Sequence, residues 1–93
     1  MRKPGGWMQP VDERILEILR DEGNLQPKTI NEKMSSLAID LDYTSEHIGR
    51  RCRKLAEYGL LTKFGVGVYS ITDLGMDYLK EELDAGTLEP EES

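Results

Sequence analysis

The hydrophobic period of this chain changes abruptly past Gly59, and that change limits the folds open to it. Before it, apolar residues recur at helical spacing. Val11, Ile15, Ile18 and Leu19 stand at i, i+4, i+7 and i+8, on one side of a helix over about Pro10 to Glu22 that Gly23 ends. Asn24-Leu25-Gln26 connects it to Pro27, which suits the first turn of a second helix because its missing N–H has no intrahelical acceptor there. Ile30, Met34, Leu37, Ala38 and Leu41 carry the spacing past Ser35-Ser36, so the end of this helix stays open, and Asp40-Leu41-Asp42-Tyr43 has the composition of a turn. Thr44 can cap a third helix, its hydroxyl accepting from free N–H groups of the first turn. The inward stripe of that helix is Ile48, Cys52, Leu55 and Ala56, and Gly59 stops it with Leu60-Leu61 packed beneath.

Beyond Gly59 the period is that of strands. Leu61-Thr62-Lys63-Phe64 and Val68-Tyr69-Ser70-Ile71 are short β-prone runs around Gly65-Val66-Gly67, the composition of a hairpin whose tip needs positive φ. Thr72 then caps a last helix with Leu74, Tyr78, Leu79 and Leu83 as its expected apolar side and Asp73 near its positive end. Helix, helix, helix, two-stranded hairpin, helix is an α+β, mostly helical order, that of a winged helix-turn-helix. Ninety-three residues suit one such domain. Residues 10–84 form it, residues 1–9 an N-terminal arm, and residues 85–93, rich in Gly, Pro and Glu without periodicity, an acidic tail expected to be disordered.

A formal net charge of −6 argues against a partner made of phosphate until its distribution is considered. Between Tyr43 and Lys63 five basic residues, Arg50, Arg51, Arg53, Lys54 and Lys63, face two acidic ones, Glu46 and Glu57. A positive island thus sits on an acidic body, much of the acid lying in Glu81, Glu82, Asp84, Glu89, Glu91 and Glu92. Such acidity also suits a protein that must stay soluble in concentrated salt, as in halophiles. No stretch approaches the roughly 18 apolar residues that cross a bilayer, and Met1 to Gly6 lack the apolar stretch of a secretion signal, so a cytoplasmic protein is expected.

Trp7-Met8 ahead of Val11-Asp12-Glu13-Arg14-Ile15-Leu16, then Gly49-Arg50-Arg51-Cys52-Arg53-Lys54-Leu55-Ala56 running into Tyr58-Gly59-Leu60-Leu61, then Tyr69-Ser70-Ile71-Thr72 with Gly75 and Tyr78-Leu79, form a pattern that is specific through its order and spacing. On these residues the chain resembles archaeal winged-helix regulators of the halovirus phi-H repressor type, distant relatives of the MarR and PadR families. The resemblance implies a homodimeric, DNA-binding transcriptional repressor or regulator.

A major groove about 12 Å wide admits one helix, whose N-terminal residues meet base edges and whose later ones meet phosphates. Ser45, Glu46, His47 and Arg50 are therefore the expected base readers, Arg50 being suited to guanine. Arg53 and Lys54, a turn later, are expected on phosphates, together with Thr44 at the helix start and Lys63 beside the hairpin. Arg51 lies at the border of the apolar stripe and is ambiguous: it faces a duplex or pairs with a neighbouring carboxylate. The hairpin is either a groove-inserting wing or a plain tight turn. Trp7, Met8 and Met76 are not obviously needed by the core and are expected in a two-fold contact, with packing of Trp7 on its own domain as the alternative.

Other chemistry is poorly supported. His47 and Cys52 are the only residues of their types, and a five-residue spacing separates their helix faces, which suits neither a zinc site nor a nucleophile pair. Cys52 fits a small core residue better than a redox sensor. Asp40 and Asp42 lack the spacing of a calcium loop, and Gly65-x-Gly67 lacks the third glycine of a dinucleotide loop. Neither enzyme nor cofactor is expected. The partner expected is double-stranded DNA; the alternatives are a winged-helix module that docks on another protein, for which the acidity argues, and an RNA binder. The outward face of the third helix, basic and polar rather than apolar, favours DNA.

Overall fold

A computed structural model describes residues 1–36 and 43–90. The helical positions expected at Leu37, Ala38 and Leu41, the turn at Asp40-Leu41-Asp42, and tail residues 91–93 lie outside them. Helices α1 (Pro10–Glu22), α2 (Pro27–Ser36) and α3 (Ser45–Glu57) are followed by strands β1 (Leu61–Phe64) and β2 (Val68–Ile71) and helix α4 (Asp73–Leu79). The strands pair antiparallel in the register Leu61 to Ile71 and Phe64 to Val68. Their tip turns on Gly65 and Gly67, at φ 48° and 72°, values an L side chain rarely adopts. The α1–α2 connector joins this sheet at one point: Leu25 and Tyr69 exchange backbone hydrogen bonds of 3.1 and 2.9 Å.

The expected caps form. Thr44 accepts from the His47 N–H and Thr72 from the Gly75 N–H, at 3.1 and 3.2 Å. The C-terminal ends of α3 and α4 use one device with different residues. At α3 the Gly59 N–H donates to the Ala56 carbonyl and the Leu60 N–H to the Leu55 carbonyl, a Schellman closure with Gly59 at φ 84°. At α4 the Glu81 N–H donates to Tyr78 and the Glu82 N–H to Asp77, the same closure with Glu81, not glycine, at φ 67°. This closure ends α4 at Leu79, so Leu83 packs on the core from outside the helix rather than from its apolar face.

The core is one cluster between the helices and the hairpin. Val11, Ile15 and Leu16 of α1, Ile30 of α2, Ile48, Cys52 and Leu55 of α3, Leu60, and Tyr78 of α4 are all fully buried. Each large apolar side chain so enclosed contributes about 1.5–3 kcal/mol of transfer free energy. Helix α4 presents Gly75 inward. A methyl there would lie 2.5 Å from the Leu60 carbonyl oxygen, so only glycine permits this approach of α4 to the hairpin. With Gly75, Tyr78 and Leu79 forming its inward face, Leu74 turns out and is 41% exposed, contrary to the apolar face expected from spacing.

The chain ends also depart from expectation. Arg2 donates to the Leu79 carbonyl at the end of α4, and the Ala85 N–H donates to the Lys3 carbonyl at 2.9 Å. Ala85–Thr87 form a turn of 3₁₀ helix with Ala85 fully buried, so order continues past residue 84 where a disordered tail was expected to begin. The reason is pairing with the arm: Lys3 and Asp84 form an isolated parallel bridge, and the two ends support one another.

Candidate nucleic-acid interface

Helix α3 turns about 100° per residue, so neighbours in its sequence meet different surroundings. Gly49 to Cys52 sample four of them. Gly49 is buried against the Pro27 ring, Arg50 is exposed, Arg51 points to α1, and Cys52 is fully buried in the core. Pro27, Ser45, Glu46, Gly49, Arg50 and Arg53 line an open recess of about 410 Å³ where the first turn of α2 meets α3. The structure thus brings three of the expected base readers, Ser45, Glu46 and Arg50, to one recess with the expected phosphate ligand Arg53.

The others flank it. Thr44 is exposed at the helix start, and its hydroxyl already accepts from the backbone as the cap. His47 stacks on Tyr43, ring centroids 5.0 Å apart and planes 9° from parallel. Lys54 places its ammonium 5.6 Å from the centroid of the Tyr58 ring, near enough for a cation–π attraction. Lys63 is exposed on β1, beside an apolar hairpin tip on which Phe64 is 52% and Val66 91% exposed.

Arg51 has a different role. Its guanidinium forks onto the Asp12 carboxylate through Nε at 2.8 Å and Nη2 at 2.6 Å, and Nη2 also donates to the Trp7 carbonyl at 3.0 Å. Asp12 is fully buried and accepts in addition from the Gln9 N–H, which fastens the start of α1. Hydrogen bonding to Asp12 raises the Arg51 pKa further, against the opposing effect of burial. The ambiguity at Arg51 is resolved toward a carboxylate partner. Its neighbour Cys52 has its thiol pKa pushed up to about 12, chiefly by burial and then by the Asp12 charge, which leaves it a poor nucleophile at neutral pH.

Charge pairing separates the six arginines. Arg2 meets Glu13 and Glu17, Arg14 meets Glu17, Arg20 meets Asp21, and Arg51 meets Asp12. Among the described residues Arg50 and Arg53 form no such pair and lie exposed on one side of α3. Trp7, weighed between a two-fold contact and its own domain, packs on its own domain: it stacks on Tyr58 at 3.7 Å between centroids, 8° from parallel, and donates to the Ala85 carbonyl at 3.2 Å. Met8 and Met76 are half-buried.

Spacing gave no sign of Tyr43, Tyr58 or the Pro27–Gly49 contact as parts of this region. Asp12 alone left a trace, as a carboxylate next to the inward-facing Val11 at the start of α1. Among the described residues no three His, Cys, Asp or Glu side chains group as metal ligands, and no helix is long and apolar enough to cross a membrane.

Comparison with known proteins bears on this geometry. A family described as the winged helix-turn-helix phage repressor matches residues 1–91. The repressor protein of Halobacterium phage phiH is 33% identical over 86 residues, covering 89% of this chain and 91% of that protein. The crystal structure of the PhiH1 repressor-like protein from Haloarcula marismortui superposes with a TM-score of 0.85 at 39% identity, covering 97% of each chain.

Proposed function

The chain belongs to the winged helix-turn-helix phage repressor family, and from that premise we propose that it is a transcriptional repressor that binds double-stranded DNA sequence-specifically through α3. One observation carries the reading: the chain pairs four of its arginines with its own carboxylates and leaves Arg50 and Arg53 exposed on one helix face with no such pair among the described residues. With α3 in a major groove, Arg50 donates in fork geometry to a guanine, while Glu46, one turn before it, accepts from a cytosine amine. Ser45 and His47 complete the base-facing turn, the imidazole oriented by its stack on Tyr43. Arg53 and Lys54 take phosphates, as does Thr44 at the start of α3. The first turn of α2, which carries no acidic residue, also offers its positive helix end to a phosphate at Arg53.

Few phosphate contacts give one protomer weak binding, and two copies on a palindrome overcome this. Trp7 being engaged within its own chain, the two-fold contact is proposed through Met8 and Met76. The hairpin acts as a short wing: Lys63 meets a phosphate, and Phe64 and Val66 press on the sugar edge of the neighbouring groove. Selection of preferred sites from a random duplex pool, followed by fluorescence anisotropy on the selected site at several salt concentrations, tests the reading. A selected palindrome bound by two protomers supports it. Equal affinity for every duplex removes sequence-specific readout, and no binding at low salt removes DNA.

A further inference from the structure

We infer that Trp7, through Tyr58, is a positioning residue for the phosphate-contacting Lys54; this rests on the DNA-binding reading above and names a determinant outside the reading helix. Tyr58 caps α3 and lies beneath the Lys54 ammonium, 5.6 Å from ring centroid to Nζ. The Tyr58 ring is itself held by Trp7, whose indole stacks on it at 3.7 Å. Trp7 in turn is fixed at three points. Its Nε1 donates to the carbonyl of the buried Ala85, its backbone carbonyl accepts from Arg51, and Gly5 lies so close that an added methyl would collide with Nε1 and Cδ1. The Ala85 N–H closes the loop on the Lys3 carbonyl.

An unbroken series of contacts therefore runs from the paired chain ends to the ammonium of Lys54. A free lysine samples many rotamers and loses that freedom when it meets a phosphate. One held over an aromatic ring has already lost part of it, so binding gains affinity without a further contact. The arm and the segment after α4 act on DNA in this way without touching it.

A double-mutant cycle tests the inference, with duplex affinity and its salt slope measured well below the melting temperature of each variant. Trp7→Ala should weaken binding about two- to fivefold, the range of one cation–π contact, and lower the salt slope by up to about one unit, one phosphate contact. In a Lys54→Ala background the same change should have no further effect. Trp7→Phe, which keeps a ring against Tyr58, should restore wild-type behaviour, and Gly5→Ala, which displaces the indole without removing it, should resemble Trp7→Ala. Wild-type affinity for Trp7→Ala, losses that add in full to those of Lys54→Ala, or an altered sedimentation coefficient for Trp7→Ala would each overturn the inference while leaving DNA binding in place. Failure of the wild type to bind any duplex overturns both.

Discussion

Arg50 and Arg51 share a helix, a side-chain type and a peptide bond, and they meet opposite surroundings. Arg51 reaches 39 residues back along the chain to a carboxylate with no access to water, and its side chain is 13% exposed. Arg50 faces solvent at the mouth of an open recess. A rotation of about 100° separates a charge that holds the fold together from one left exposed to solvent. The positive island counted along the sequence is therefore smaller in space than in sequence, since Arg51 is cancelled internally.

Loss of the inward-facing arginine should cost the most. Arg51→Ala leaves the Asp12 carboxylate buried with one backbone donor, and removing one partner of such a pair costs about 3–5 kcal/mol. Chemical denaturation followed by circular dichroism should show this loss. Arg50→Ala in the same assay should stay within about 0.5 kcal/mol of wild type, as an exposed substitution does. Under the proposed function its effect is on binding: discrimination at one base pair should fall by about 1–3 kcal/mol in competition against mismatched duplexes. Equal stability losses from the two would erase the distinction.

The residues on either side, Gly49 and Cys52, respond more weakly. Gly49→Ala places a methyl 3.8 Å from Pro27 Cγ, an ordinary contact, and relieves a helix-interior glycine, so stability should rise by about 0.5–1 kcal/mol. Cys52 has the smallest effect under ordinary conditions. Its thiol is raised in the folded chain, so the neutral form is favoured by folding; that contribution is complete below pH 9 and fades as pH climbs toward about 12. Burial of Tyr69 and Tyr78 raises their phenols and acts in the same direction. Melting temperature should thus fall on the alkaline side of pH 9, and a thiol reagent at pH 8 should label Cys52 only after denaturant is added.

The fold was legible in the sequence because its signals are local. Helical period, the hydroxyl caps at Thr44 and Thr72, and glycine where φ must be positive each act within a few residues, and they place the starts of α3 and α4, the ends of α1 and α3, and the hairpin tip correctly. The inward stripe of α3 followed from the same spacing. The contacts around that helix were not legible in the same way. Arg51 to Asp12, Arg51 to Trp7 and Trp7 to Ala85 span 39, 44 and 78 residues, and only packing brings such partners together. Spacing also misplaced Leu74 and Leu83, because it cannot foresee that α4 approaches the hairpin through a glycine or that a Schellman closure forms on Glu81.

The proposed function places the duplex on the face bearing Arg50 and Arg53, and on no other. Amide and arginine Nε chemical shifts, followed by NMR as a short duplex is added, test it directly. The largest changes should fall on Ser45, Glu46, His47, Arg50, Arg53 and Lys54, with Arg51 Nε and the amides of α4 nearly unmoved. Changes concentrated on α4 with α3 silent would contradict it.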